Sequence, residues 1–101
     1  GVSRQAIEDR RRRGRLVALR TEEGAWVYPA FQFDDANRPI EPVIVAFNRL
    51  AVGRTGPWSA AAILLGAQPE LGGRSIARFL ADGGSADDVE DLLATTVAAL
   101  A

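Results

Sequence analysis

Apolar residues recur at helical spacing through the second half of the chain. Val43, Ala46, Phe47 and Leu50 follow an i, i+3, i+4, i+7 pattern, which predicts a helix ending near Gly53. Three more helices are predicted: one from Pro57 to Gly66, one between Ser75 and Gly83, and one that begins after Ser85 and carries Val89, Leu92 and Leu93 on one face. The pattern therefore predicts a four-helix C-terminal module.

The first 33 residues have a different pattern. Ser3 is a good N-cap for a helix over 4–13, and Gly14 would end that helix. The segments 16–20 and 25–31 read as two short strands on either side of the polar turn "TEEG". The predicted fold class is therefore mostly α with a small β-hairpin.

Charge is segregated along the chain, although the net charge is only −1. Residues 1–20 hold seven arginines and two acids, a net +5, whereas the remainder holds five arginines and eleven acids, a net −6. A basic head on an acidic body favours a polyanionic partner for the head.

Several kinds of chemistry are disfavoured by composition. The chain has no Cys and no His, so thiolate metal sites and imidazole-based catalysis are excluded. The acidic pairs Asp34-Asp35 and Asp87-Asp88 are candidates for acid/base work, but turn and helix-cap roles explain both. We expect no enzyme, no metal and no cofactor. No apolar run approaches a membrane span, so we expect no membrane partner and, by default, a cytoplasmic protein.

The opening helix is the main candidate for a binding surface. A helical wheel points its outer arc away from the core, and that arc contains Arg4, Gln5, Glu8, Arg11 and Arg12. Arginine and glutamine can pair with guanine and adenine edges in a major groove. Three further residues, Ser3, Arg15 and Arg20, are candidates for phosphate contacts. The alternative is a solvated helix end, in which Glu8 pairs with Arg11 or Arg12.

The stretch "GVSRQAIEDRRRRGRLVAL…GAWVYPAFQF" resembles the turn, recognition helix and wing of a bacterial winged or MerR-like helix-turn-helix. The resemblance covers about residues 1–33 and implies binding to double-stranded DNA. The sequence begins at Gly1, so we expect the helix that precedes the turn in that family either to lie outside this sequence or to be replaced by support from a partner chain. We therefore expect a truncated winged helix-turn-helix.

The second half is similar to the C-terminal toxin-binding domain of Xre/MbcA/ParS-type antitoxins. The residues that carry the likeness are Trp58, Pro69, Leu71, Gly73, Ser75, Phe79, Leu80 and Gly83, with Ile76 where that family usually has proline. The resemblance implies a homodimer and a protein partner, often a RES-type toxin. It places partner contacts at Trp58, Leu71, Arg74 and Arg78, although Leu71, Phe79 and Leu80 also suit a core.

These observations predict three divisions: a DNA-binding part over 1–33, a connector and helix over 34–56, and a partner-binding or dimerisation module over 57–101. The function that they favour is a DNA-binding transcriptional regulator of antitoxin type. The alternative is an assembly module whose basic helix docks on an acidic protein surface. The aromatic series Trp26, Tyr28, Phe31 and Phe33 is interpreted as a packed joint between hairpin and helices rather than a stacking platform for single strands.

Overall fold

The computed structural model describes residues 3–52 and 55–99. The elements in chain order are α1 (Arg4–Arg12), β1 (Leu19–Arg20), β2 (Trp26–Val27), a 3-10 turn (Ala30–Gln32), α2 (Glu41–Val52), α3 (Pro57–Leu65), a second 3-10 turn (Pro69–Leu71), α4 (Ile76–Ala81) and α5 (Ala86–Ala99). The predicted class, mostly α with a small β-hairpin, is confirmed. Among these helices none has an apolar stretch long enough to cross a membrane.

Helix α1 begins and ends where its sequence predicts, to within one residue. The Ser3 hydroxyl accepts a hydrogen bond from the Ala6 N–H at 3.2 Å, so it satisfies one of the free amides of the first turn. Past the last turn, Gly14 adopts a left-handed φ of 70° that a side chain would disfavour. No residue of α1 is buried. The helix therefore lies on the surface of the body rather than in its core.

The hairpin pairs its strands antiparallel, with Leu19 opposite Val27 and Arg20 opposite Trp26. The Thr21 N–H donates to the Ala25 carbonyl at 2.9 Å, which makes that pair hydrogen-bonded. Pair types alternate along an antiparallel ladder, so Arg20 and Trp26 form a non-hydrogen-bonded pair whose side chains lie close together. The register thus places Arg20 beside the Trp26 indole.

Both strands are shorter than predicted over 16–20 and 25–31, and proline explains why. The observed register would set Val17 opposite Pro29, which has no N–H to donate to the ladder. The side chain of Gln32 replaces the missing partner: its Oε1 accepts from the Val17 N–H at 2.7 Å and its Nε2 donates to the Val17 carbonyl at 2.9 Å. A side-chain amide therefore closes the base of the hairpin, where the prediction had backbone pairing.

The core lies between α2, α3 and α4, with α5 packed against α2. Its buried side chains come from every helix after α1 and from the hairpin, namely Val17, Leu19, Val43, Ile44, Ala46, Phe47, Leu50, Ala60, Ala61, Ile63, Leu64, Leu71, Ile76, Ala77, Leu80, Val89 and Leu93. The three predicted divisions therefore share one hydrophobic core. Residues 1–2, 53–54 and 100–101 of those divisions lie outside the described residues.

The predicted N-caps of α4 and α5 and the predicted end of α4 before Gly83 are confirmed. Ser75 Oγ accepts from the Arg78 N–H at 3.0 Å, and Ser85 Oγ accepts from the Asp87 N–H at 3.2 Å. After α4 the chain passes over the Phe79 ring at Gly84, where an added Cβ would lie 2.2 Å from a ring carbon. Only glycine allows this close approach of backbone to ring.

Candidate nucleic-acid interface

The exposed face of α1 brings together several of the residues predicted to contact DNA. Ser3, Arg4, Gln5 and Arg12 line one shallow, open depression on the surface, which they share with Glu8 and Asp9. Arg15 is also exposed, just past the end of the helix. Helix α1 therefore presents two arginines, one from each end, and an amide side chain on one accessible surface.

Ion pairing leaves most of this positive charge available. Arg13 and Asp9 form an i,i+4 ion pair at 3.3 Å, and both side chains are more than half exposed. Such a pair stabilises a helix by only about 0.3–0.5 kcal/mol. Within residues 3–52 and 55–99, Arg4, Arg12 and Arg15 form no ion pair, and Glu8 pairs with neither Arg11 nor Arg12. Self-neutralisation of the helix by Glu8 is therefore not the observed arrangement.

The helical wheel predicts that the Arg11 side chain points away from the body of the protein, but this prediction is wrong, because the side chain packs on Trp26 instead. Its guanidinium carbon lies 4.3 Å from the centroid of the Trp26 ring, and the side chain is half-buried. Its Nε is buried and has no hydrogen-bond partner in the described part of the chain. A helical wheel assumes that α1 packs only against the helical core, whereas Trp26 of the hairpin also packs against this side of α1.

Arg20 lies over the same indole, with its guanidinium carbon 5.0 Å from the ring centroid. A cation over the face of Trp contributes about 0.5–1 kcal/mol at an exposed site and more when desolvated. The backbone at Arg20 is held separately, since Trp58 Nε1 donates to the Arg20 carbonyl at 3.1 Å. Because the outer edge of β1 has no strand partner, this hydrogen bond satisfies a carbonyl that would otherwise face solvent.

Helix α1 is attached to the body by a small number of polar and half-buried contacts. Asn48 Nδ2 on α2 donates to the Gly14 carbonyl at 2.7 Å, and Ile7 is half-buried. Arg10 is exposed, and it lines a groove with Ile7, Leu16 and other residues. The stack of Arg11 on Trp26 adds a link from α1 to the hairpin.

The four residues predicted to bind a partner differ in exposure and in their contacts within the chain. Leu71 is buried in the core, so its side chain packs inside the chain and is not available to a partner in this conformation. Trp58 keeps 55% of its surface exposed although its N–H is used within the chain. Arg74 and Arg78 lie at 3.3 and 3.2 Å from the two carboxylate oxygens of Asp82, so one acid partly neutralises both.

The aromatic series is partly the packed joint that the sequence predicted. Phe31 packs against the core, and Tyr28 and Phe33 are half-buried. Trp26 differs, because 39% of its surface stays exposed and its ring carries the guanidinium groups of Arg11 and Arg20. Tyr28, Phe31 and Phe33 therefore form the packed joint between the hairpin and the helices.

Asp34 has a structural role in a turn, as predicted for that acidic pair. Its Oδ1 accepts from the N–H groups of Ala36 and Arg38, both at 2.9 Å, and its Oδ2 lies 3.2 Å from Arg38 Nε. The backbone hydrogen bond from Arg38 is the largest of the causes that lower the pKa of the Asp34 carboxyl. Asn37 completes the turn in the left-handed region with φ of 60°, which asparagine tolerates well.

Two residues that organise this surface were missed in the sequence, and each had a signal. Gln32 is a lone polar residue inside the apolar run "AFQF", and a buried polar side chain is expected to be hydrogen-bonded. Trp26 faces Arg20 across the "TEEG" turn, a pairing that the turn length predicts once the register is known. No protein-family model, curated protein or solved structure matches this chain.

Proposed function

We propose that this chain binds double-stranded DNA through α1 and the hairpin and acts as a DNA-binding transcriptional regulator. The observation that carries the proposal is the set of exposed arginines on and after α1, Arg4, Arg12 and Arg15, which form no ion pair with any described residue. Unpaired arginines on one helix are suited to displace the counterions of a phosphate backbone.

The roles of individual residues follow from their positions. Arg4 and Gln5 lie in the exposed first turn, where side chains of a helix inserted in a major groove can reach base edges. Arg12 and Arg15 lie toward the other end and would contact phosphates, together with Ser3. The likeness of the second half to toxin-binding domains makes an antitoxin-type regulator the specific form of the proposal, with a RES-type toxin or a second copy as protein partner.

Binding to a labelled duplex, followed by fluorescence anisotropy over a range of salt concentrations, tests the proposal. Neutralisation of two phosphates by Arg12 and Arg15 predicts a log–log slope near −1.8, or a loss of affinity of about tenfold between about 50 and 200 mM salt. Arg12→Gln should lower the magnitude of that slope by about 0.9. The matched control is Arg78→Gln, which removes the same charge from α4 and should leave the slope unchanged.

A second candidate remains, because the acids of α5 (Asp87, Asp88, Glu90 and Asp91) are all exposed. The basic helix of one copy could dock on such an acidic protein surface. The double variant Arg4→Glu/Arg12→Glu separates the two candidates. Loss of duplex binding with an unchanged oligomeric state in analytical ultracentrifugation supports the DNA proposal. Loss of self-association supports docking, and a flat salt response of the parent chain contradicts DNA binding.

A further inference from the structure

Two arginines from different elements share one indole ring. Arg11 comes from the last turn of α1 and Arg20 from β1, and their guanidinium carbons lie 4.3 and 5.0 Å from the centroid of Trp26. Stacking on a π-face attracts a guanidinium without neutralising it, and its N–H donors point outward in its own plane. Trp26 therefore contacts two guanidinium groups and leaves both charges intact.

The donors of these two groups are unmet within the chain. No hydrogen bond or ion pair joins either guanidinium to another residue within 3–52 and 55–99, and Arg11 Nε is shielded from water with no acceptor. An oxyanion cannot reach this shielded Nε, but the Nη donors of both guanidinium groups remain open to one. Guanidinium forks match the oxygens of a phosphate group in a bidentate geometry.

The hairpin holds one of the two arginines in place. Arg20 has its carbonyl tied by the Trp58 indole, and its guanidinium lies beside the turn, where a Cβ added at Gly24 would be 3.6 Å from Nη2. Gly24 has φ of 85°, so a side chain there would be strained in any case. Arg20 is therefore preorganised in the free protein.

We propose that Arg11, Arg20 and Trp26 form a phosphate clamp that grips a backbone phosphodiester where the duplex passes from α1 to the hairpin. Trp26 is a positioning residue in this clamp, because it acts through the two arginines. Base stacking on Trp26 is disfavoured, since guanidinium groups already occupy its π-surface. The proposal rests on the proposed DNA binding and adds to it a specific contact that charge alone would not predict.

The experiment changes the ring and leaves every charge in place. Duplex affinity is measured for the parent chain, Trp26→Leu, Trp26→Tyr and the control Phe79→Leu, which removes the ring that lies 5.1 Å from the Arg74 guanidinium carbon, outside the phosphate clamp. The phosphate clamp predicts affinity about fivefold to tenfold weaker for Trp26→Leu, an intermediate loss for Trp26→Tyr, and a change of less than about twofold for Phe79→Leu. Circular dichroism confirms folding of each variant, and Trp26→Tyr keeps the test valid if Trp26→Leu fails to fold.

A double-mutant cycle shows whether the arginines act through the ring. Arg20→Gln should weaken binding about fivefold in the parent chain and less than about twofold in the Trp26→Leu background. If Trp26→Leu binds duplex as tightly as the parent chain does, the phosphate clamp is overturned while DNA binding stands.

A second measurement keeps the two proposals separable if the parent chain binds no duplex at low salt. Inorganic pyrophosphate is then titrated into the parent chain while its tryptophan fluorescence is followed, with Trp26→Leu, which keeps only Trp58, as the control. A saturable change that Arg11→Gln abolishes supports a phosphate site with a smaller ligand, although the DNA proposal has failed. No saturable change overturns the phosphate clamp as well.

Discussion

Replacing Gln32 by leucine tests the amide that closes the base of the hairpin. Gln32 is fully buried, and its side chain accepts one hydrogen bond and donates two, the third reaching the Pro29 carbonyl at 3.0 Å. Leucine has similar bulk but no polar atoms. The substitution therefore leaves the N–H and carbonyl of Val17, itself fully buried, without partners.

The size of the effect follows from those two stranded groups. Each buried backbone group without a partner costs about 1–3 kcal/mol, and the apolar surface of leucine recovers part of that at about 25 cal/mol per Å². We expect the free energy of unfolding to fall by about 2–4 kcal/mol. With a urea m-value of about 1–2 kcal/mol/M, the unfolding midpoint should fall by roughly 1–4 M.

Urea unfolding followed by far-ultraviolet circular dichroism measures this change. The matched control is Gln5→Leu, the same substitution at an exposed position of α1, which should alter stability by less than about 0.5 kcal/mol. If the midpoint of Gln32→Leu moves no further than that of the control, the assigned role of the amide is wrong.

Gln32→Glu sharpens the same test through pH. An ionised carboxylate can accept from Val17 but would face the carbonyls of Val17 and Pro29, so burial there favours its neutral form. The penalty relative to the parent chain should be full at pH 7 and shrink as pH falls and the group takes up a proton. Equal penalties at pH 7 and about pH 4.5 would contradict this placement of the two carbonyls.

Three further substitutions probe the body and the turn. Gly84→Ala drives a methyl group into the Phe79 ring, so we expect a loss of about 1–3 kcal/mol in urea unfolding, and an unchanged midpoint would show that the ring moves freely. Leu64→Ala empties a fully buried position and should lower stability by about 2–5 kcal/mol, well beyond the effect of the exposed Leu65→Ala. Asp34→Asn should destabilise at pH 7, because a lowered carboxyl pKa contributes stability above about pH 4 that is lost as pH falls through the folded-state pKa. The difference from the parent chain should therefore shrink in acid, and a constant difference across that range would show that the charge is irrelevant.

The bounds of the helices could be predicted closely, because short-range sequence signals determine where each helix begins and ends. Ser3 and Ser75 cap the first turns of α1 and α4 through their own hydroxyls, and Pro57 begins α3. These signals involve residues within four positions of one another, so a single sequence contains them fully. The strands were predicted too long, because a side chain 15 residues from Val17 completes the pairing that Pro29 cannot make.

The candidate interface was predictable in its residues but less so in their directions. Arg4, Gln5 and Arg12 lie exposed as a helical wheel places them. Arg11 does not, since its direction is set by Trp26, which approaches only after the hairpin folds back on α1. Leu71 shows the converse limit, because a family pattern marks its position without deciding whether the side chain faces a partner or the core.

Because no residue of α1 is buried, substitutions on its surface do not disturb the hydrophobic core. The residues that set the surface chemistry of α1 and those that form the core are separate sets, so the surface chemistry can change one position at a time without a compensating change in α2 or α3. Substitutions at Arg4 or Gln5 should spread freely among descendants of this chain, whereas Phe47 and Leu64 stay confined to a few apolar alternatives. The chemistry of the α1 surface can therefore change while the fold is retained.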